Sequence, residues 1–227
     1  MKKKDFNICT IVQGKTLQAF VKNIKKAQES ATMIELRADS ITDLSIDDLP
    51  IIMGPVKVPC IFTCRHNNEG GLFMGPQAKQ KEILEKAFDL GFTYVDVAYD
   101  NLLIYELSAK EKKQLLISYH CDEGTPDFVE LMKLLEFMRS INPAMMKIAT
   151  MVIDYDDIPI LAAILKKAKK NEKLTVIGLG KRGKITRLMF PPAGSYIAFV
   201  TMKGEKNIAP GMLTEKDLKP ILKHFNK

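Results

Sequence analysis

Lys147 is the residue of this sequence with the clearest potential for covalent chemistry. It lies in the apolar segment 145–149, where an ammonium group would be poorly solvated and its pKa would fall. A neutral amine attacks ketones to form imines, and an imine draws electrons when a proton is removed from the neighbouring carbon. The alternative is an edge-strand lysine that extends its side chain to water. The local sequence is compatible with both interpretations.

His120 is the histidine best placed for proton transfer. It ends the apolar run 114–120, one predicted strand before Lys147, whereas His66 and His224 fall in loop or surface positions. Because the ordinary pKa of histidine lies near neutrality, one side chain can act as a base in one step and an acid in the next. A lone histidine more often has only a structural hydrogen-bonding role, so this signal is weak by itself.

Three arginines suit the recognition of a carboxylate. Arg37, Arg65 and Arg187 can each present paired N–H donors in a geometry that lysine lacks. Glu35 could neutralise one of them, or it could form a structural ion pair with Arg37. Both interpretations remain open.

The elements that must position these residues follow a regular alternation of short apolar runs and amphipathic runs of helix length. The predicted strands are residues 6–13, 33–39, 58–65, 94–99, 114–120, 144–151, 174–180 and 196–202. The predicted helices are residues 16–30, 76–90, 126–141, 156–170 and 214–225. This order predicts a parallel sheet. Eight strands in 227 residues favour an α/β fold, a (β/α)8 TIM barrel formed by a single domain over residues 1–227.

Polar side chains fall on one side of five consecutive predicted strands, because successive side chains of a strand face opposite sides. They are Glu35, Arg37 and Asp39, then Thr63 and Arg65, then Asp96, then Ser118 and His120, then Lys147. In a barrel this side points inward, and barrel enzymes hold their chemistry at the C-terminal ends of the strands. The alternative is the solvated polar face of an open sheet, which fits five such strands in one short chain less well.

Composition limits the partners. The formal charge is +7, but the basic residues are scattered along helical stretches, and the chain has no tryptophan and 7% aromatic residues, so no nucleic acid is expected. A basic balance suits a small anionic substrate. The four cysteines form neither a CxxC nor a zinc pattern and are expected to be reduced thiols. The apolar run 8–12 is too short for a signal-peptide core and far too short for a membrane span, so a cytoplasmic location is expected.

Taken in order, several motifs resemble those of type I 3-dehydroquinate dehydratase over nearly the whole chain. They are Glu35-Leu36-Arg37-Ala38-Asp39, Thr63-Cys64-Arg65, Glu69-Gly70-Gly71, Tyr94-Val95-Asp96-Val97, Ser118-Tyr119-His120, Lys147-Ile148-Ala149-Thr150, the residues from Gly180 to Arg187, and Ala209-Pro210-Gly211. Each fragment is weak alone, but the ordered set is specific to that family.

The resemblance implies that 3-dehydroquinate loses water to give 3-dehydroshikimate, a step of the shikimate pathway, without metal or cofactor. Lys147 would form an imine with the substrate ketone. His120 would remove the proton from the adjacent carbon and pass a proton to the departing hydroxyl. The implied substrate contacts are Arg187 for the carboxylate and Glu35, Arg37 and Arg65 for the ring hydroxyls. A homodimer is the usual assembly of the family.

Three positions depart from the family pattern. Ala98 stands where a glutamate normally orients the catalytic histidine, and Ile208 and Met212 replace a hydroxyl and an amide that normally contact the substrate. Each lost hydrogen bond would cost on the order of 1 kcal/mol of substrate binding. These departures motivate a second interpretation, a non-catalytic or altered-specificity homologue that binds a small anion. A third, a Schiff-base aldolase on the same barrel, fits the arginine and Glu-Gly-Gly motifs less well.

Overall fold

The strands match the sequence prediction closely. A computed structural model describes residues 6–202 and 212–225. Its strands are β1 (Asn7–Val12), β2 (Met33–Arg37), β3 (Cys60–Thr63), β4 (Tyr94–Ala98), β5 (Leu115–Cys121), β6 (Met145–Met151), β7 (Leu174–Leu179), β8 (Ile197–Thr201) and β9 (Leu213–Thr214). The eight predicted strands are all present, each within two residues of its predicted bounds. The short β9 was not predicted.

The helices include the five predicted ones and four short ones that the periodicity did not indicate. They are α1 (Leu17–Ala27), α2 (Asp48–Met53), α3 (Gln77–Leu90), α4 (Ala109–Lys112), α5 (Phe128–Ile141), α6 (Asp157–Lys166), α7 (Gly180–Gly183), α8 (Thr186–Ala193) and α9 (Glu215–Phe225). The four missed helices, α2, α4, α7 and α8, have eight residues or fewer. Two turns or less give too few repeats for a helical pattern to stand out. None of the helices in the described residues is long and apolar enough to cross a membrane.

Local sequence explains where the long helices begin and end. The side chains of Thr16 and Asp127 precede α1 and α5 and accept hydrogen bonds from backbone N–H groups three residues further on, at 3.2 and 2.8 Å. These bonds satisfy donors that the first helical turn leaves without partners. Helices α3 and α5 end at Gly91 and Asn142, both in the left-handed region with φ of 81° and 59°. Glycine and asparagine adopt this conformation at the lowest cost.

The strands form one sheet in the order β7-β6-β5-β4-β3-β2-β1-β8-β9. The register is parallel from β1 through β4, between β6 and β7, and between β8 and β9. The backbone N–H of Tyr196, just before β8, donates to the carbonyl of Leu174 in β7 at 2.9 Å. The alternation of strand and helix along the chain is therefore that of a parallel α/β protein.

The chain divides into two compact units. The first, here called the N-terminal unit, is Cys9–Ile117, and the second, the C-terminal unit, is Met1–Ile8 with Ser118–Lys227. In the N-terminal unit the rings of Phe62 and Phe92 are both fully buried, with centroids 4.8 Å apart. In the C-terminal unit the buried faces of α5 and α6 include Leu135, Met138 and Leu161. A single domain over residues 1–227 stays a prediction.

Candidate active site

Lys147 lies near the middle of β6 and is 8% exposed. Its Nζ is 4.5 Å from the centroid of the Phe199 ring in β8. The β6–β7 register pairs Lys147 with Thr175, so these two side chains project from the same side of the sheet. The lysine is therefore buried on an aromatic face, and the alternative of an edge-strand lysine extended to water is excluded by its burial. The ring also offers a cation–π contact that stabilises an ammonium or a protonated imine.

His120 is the penultimate residue of β5 and is half-buried. Strands β5 and β6 are hydrogen-bonded neighbours, and both His120 and Lys147 belong to the C-terminal unit. Neighbouring strands lie about 4.8 Å apart, so the backbone segments that hold His120 and Lys147 are adjacent in the sheet. The structure thus brings together the elements that hold the two predicted catalytic residues.

Arg187 is the second residue of α8, and a compact glycine turn places it there. The Thr186 hydroxyl accepts a hydrogen bond from the Gly178 N–H at 2.8 Å and donates to the Gly183 carbonyl at 2.7 Å. A Cβ on Gly183 would lie 2.5 Å from the Gly178 carbonyl oxygen, so this close approach requires glycine. The residues from Gly180 to Gly183 form α7, and these contacts hold the start of α8 against β7.

Burial lowers the pKa of Arg187 to about 10. The side chain is 7% exposed, and its Nε has no hydrogen-bond partner among the described residues. Arg187 and Phe199 line the same small cavity, of about 10 Å³, which also touches Ile177. A buried guanidinium with an unsatisfied donor is a suitable partner for a carboxylate. Phe199 thus contacts Lys147 on one side and shares a cavity with Arg187.

The predicted residues of the N-terminal unit form a separate polar group. The register aligns Arg37 with Thr63 and Thr63 with Asp96, so these residues lie on one side of β2, β3 and β4, as their parity predicted. Glu35 lies on the same side and accepts a hydrogen bond from the Thr63 hydroxyl at 3.2 Å. Arg37 donates to both oxygens of Asp39, at 2.9 and 2.7 Å.

Asp39, not Glu35, is the ion-pair partner of Arg37. Burial alone lowers the pKa of the Arg37 guanidinium, but the charge and hydrogen bonds of Asp39, with a smaller contribution from Glu35, raise the pKa above its ordinary value. The chain turns into a 3-10 helix, Ala38–Ser40, directly after Arg37. Strand parity could not predict this turn, which brings the Asp39 carboxylate onto the guanidinium.

Arg65 pairs with Asp96. Its Nη2 lies 2.7 Å from the Asp96 Oδ2, and the two side chains are 8% and 1% exposed. The Asp96 Oδ1 is buried and has no hydrogen-bond partner in the part of the chain that the structure describes. An oxygen of this kind can accept a hydrogen bond from a ligand hydroxyl. Asp39 and Asp96 are therefore the carboxylates that the structure places against these two arginines.

Glu69 fixes the loop that follows β3. Its carboxylate accepts hydrogen bonds from the His66 backbone N–H at 3.2 Å and the Gln80 amide at 3.1 Å, and also from the Asn101 amide. The first of these bonds completes a capping box on the 3-10 helix Asn67–Glu69. The carboxylate of the Glu69-Gly70-Gly71 motif therefore holds the loop, α3 and the segment after β4 in one arrangement.

Gly71 allows the same loop to fold back on Arg65. The Phe73 N–H donates to the Arg65 carbonyl at 3.0 Å, and the Leu72 N–H donates to the Asp39 Oδ2 at 3.1 Å. A Cβ on Gly71 would lie 2.1 Å from the Arg65 carbonyl oxygen. The loop thus supports both of the buried ion pairs of the N-terminal unit.

Comparison with known proteins identifies the family. A sequence model of type I 3-dehydroquinase matches residues 8–227. The chain belongs to the type I 3-dehydroquinase family. A 3-dehydroquinate dehydratase of Coxiella burnetii is 37% identical to it over 221 residues, which cover 97% of this chain and 94% of that protein.

Comparison with solved structures shows a matching fold. A type I 3-dehydroquinate dehydratase from Clostridium difficile superposes with a TM-score of 0.87 and 22% identity, covering 98% of this chain and 92% of the other. The 3-dehydroquinate dehydratase of Aquifex aeolicus gives a TM-score of 0.80 and 25% identity, with coverage of 97% and 99%. The α/β fold of the (β/α)8 TIM-barrel class, predicted from the sequence, is therefore confirmed.

Two of the three departures from the family pattern lie in described residues of this type I 3-dehydroquinase. Ala98 ends β4 and is half-buried, and Met212 lies just before β9 and is 6% exposed. Ile208, together with Ala209-Pro210-Gly211, lies outside the described residues. The Met212 side chain is therefore buried and offers no amide to a substrate.

Phe199 is the functional candidate that the sequence reasoning missed. It is 5% exposed and belongs to the predicted run 196–202, whose apolar residues give no sign that one of them contacts a lysine. The pairing of Asp39 and Asp96 with the arginines was also missed. The parity of Asp96 with Arg65 was the one available signal for the second pair.

Proposed function

We propose that the protein dehydrates 3-dehydroquinate to 3-dehydroshikimate in the shikimate pathway, and that Lys147 forms an imine with the substrate ketone. The family supports the reaction, and one observation supports the lysine: its amine is buried on the Phe199 ring in the C-terminal unit. An amine can add to a ketone carbon, and the ring beside it stabilises the protonated imine that this addition forms.

In the proposed reaction the Lys147 amine is used in the first step and regenerated in the last. The Lys147 nitrogen adds to the ketone carbon and expels its oxygen as water, giving a protonated imine. His120 removes a proton from the neighbouring carbon, and the imine takes up the electron pair. The electrons then return to expel the ring hydroxyl, which leaves as water with a proton from His120. Hydrolysis of the imine restores Lys147 and releases the product.

The proposed substrate contacts follow the same residues that the sequence indicated. Arg187 is the proposed carboxylate partner, because its buried Nε lacks a partner among the described residues. Glu35, Arg37 and Arg65 are the proposed contacts for ring hydroxyls. The ion pairs with Asp39 and Asp96 hold both arginine side chains in fixed positions, which lowers the entropy lost on binding.

Appearance of the conjugated enone of the product, followed by absorbance, tests the proposal. Wild-type protein is expected to turn over 3-dehydroquinate, and Lys147→Met is expected to lose about a thousandfold or more of the rate. The matched control is Lys166→Met, which removes an exposed lysine at the end of α6. Absence of enone with the wild type, or full activity of Lys147→Met, contradicts the proposal.

His120 has a different expected signature. His120→Ala should lose about 10²–10⁴-fold in turnover while Lys147 still forms some imine, because proton transfer follows addition. Unchanged turnover would remove His120 from the mechanism.

A second candidate is a non-catalytic or altered-specificity homologue that binds a small anion, and the buried apolar Met212 is the observation that favours it. Binding of 3-dehydroquinate without enone formation is its expected signature. A homodimer, implied by the family resemblance, and a cytoplasmic location, expected from the sequence, also remain proposals. Sedimentation of the purified protein would decide the first of these, since a monomer at micromolar concentration contradicts it.

A further inference from the structure

A second cavity lies at the start of β6, beside the residues that directly precede Lys147. It has a volume of about 290 Å³ and is bounded by the turn from α5 into β6 and by the turn from α6 into β7. Met145 and Met146, the first residues of β6, form part of its wall, and the Met146 N–H donates to the Lys173 carbonyl at 2.9 Å. The cavity therefore opens at the N-terminal ends of the strands, within the C-terminal unit.

The wall of this cavity is strongly basic. It contains Lys169, Lys170 and Lys173 in addition to Arg139, and Glu172 is the one carboxylate among its lining residues in the described chain. Lys169 and Lys170 are exposed, and they belong to a run with five lysines between residues 166 and 173. The lining thus carries four cationic side chains against one anionic side chain.

Glu172 is already committed to Arg139. The guanidinium donates to its two oxygens at 2.7 and 2.8 Å, and the Lys169 backbone N–H adds a third bond at 2.9 Å. Burial acts to raise the pKa of Glu172, but the hydrogen bonds and the charge of Arg139 lower it below the ordinary value overall. The carboxylate is consequently ionised and held in place at neutral pH, with its charge balanced by the arginine.

Most of the N–H donors of Arg139 are likewise used within the protein, which leaves few for a ligand. Beyond Glu172, its Nη1 donates to Glu136 at 2.6 Å and its Nη2 donates to the Lys167 carbonyl at 2.7 Å. The exposed positive charge at the cavity therefore comes from Lys169 and Lys170, since the Lys173 ammonium lies 5.4 Å from the centroid of the Tyr196 ring. Lysine ammonium groups act as compact point charges and commonly bind phosphate, whereas planar carboxylate recognition prefers arginine.

We propose that this cavity binds a small polyanion of the phosphate class, at a site separate from the one around Lys147. Its volume lies near the lower end of the range of ligand pockets, roughly 300–1,000 Å³, which suits a diphosphate-sized group. The described lining contains no aromatic side chain, so no stacking surface for a nucleic-acid base is present there. A cluster of lysines at such a depression raises the local concentration of anions.

Isothermal titration of the full chain with inorganic pyrophosphate at constant ionic strength tests this site. The test variant is Lys169→Gln with Lys170→Gln. The matched control is Lys25→Gln with Lys26→Gln, because these are also two consecutive exposed lysines, in the last turn of α1 and away from the cavity lining. All three proteins should turn over 3-dehydroquinate at the same rate, which keeps this test independent of the proposed function.

The expected result is one pyrophosphate bound per wild-type chain, about tenfold or more weaker binding by the test variant, and a change within about twofold for the control. No binding by the wild type, or equal weakening in both variants, overturns the proposal. A short oligothymidine is the second probe. Dependence of its binding, and not that of pyrophosphate, on Lys169 and Lys170 would also overturn it.

Discussion

Conversion of Asp96 to asparagine tests whether the polar group of the N-terminal unit is held by a buried ion pair. Asp96 and Arg65 are 1% and 8% exposed and lie 2.7 Å apart. Removing one partner of such a pair typically costs about 3–5 kcal/mol. Asparagine keeps an oxygen that can accept a hydrogen bond, so we expect a loss near 3 kcal/mol. In a domain of this size that corresponds to a fall in melting temperature of about 6–12 °C.

Thermal unfolding followed by circular dichroism measures this loss. The control makes the same chemical change in an exposed pair: Glu85 and Lys81 lie 3.7 Å apart in α3, with side chains 50% and 38% exposed. Glu85→Gln should change stability by less than about 1 kcal/mol. Equal melting temperatures for Asp96→Asn and Glu85→Gln would refute the assignment of a stabilising buried pair to Asp96.

Three further predictions concern reactivity, pH and loop packing. In the native protein the half-buried Cys121 should react with a disulfide reagent, while the three buried cysteines should react only after denaturation, since burial raises thiol pKa values as at Cys60. Because the pKa of Glu172 is lowered by folding, its stabilisation is present above the ordinary value of 4.5 and lost as pH falls through the folded value. Acid unfolding curves of the wild type and Glu172→Gln should thus converge below that region, and a constant difference would contradict this. Gly71→Ala should cost about 1–3 kcal/mol of stability by overpacking. The control is Gly54→Ala, whose Cβ would be 3.5 Å from its nearest neighbour and which should cost less. Equal melting temperatures of the two variants would count against the loop geometry.

The alternation of strands and helices could be predicted because each element has its own local spacing of apolar residues. Each apolar run of strand length, such as residues 144–151 around β6, carries its own signal. The short α7 and α8 could not be predicted, because helices of four and eight residues give too few repeats of a helical pattern. The Gly183 backbone fits against Gly178 only because the chain has already turned at the end of β7.

For the candidate site, strand parity predicted the side of the sheet on which the polar residues lie, but not which of them form pairs. Parity placed Glu35, Arg37 and Asp96 on one side of the sheet, and the register agrees. The partner of Arg37 depends on a 3-10 turn that alternation does not encode. The contact between Lys147 and Phe199 joins strands about fifty residues apart, and no local pattern reports it.

Borohydride reduction during turnover shows whether Lys147 carries the substrate as an imine. The protein is mixed with 3-dehydroquinate, treated with borohydride and digested, and the peptides are mapped by mass spectrometry. We expect a reduced adduct on Lys147 in the wild type and no adduct in Lys147→Met. Formation of enone without any adduct, or an adduct on another lysine, would contradict it.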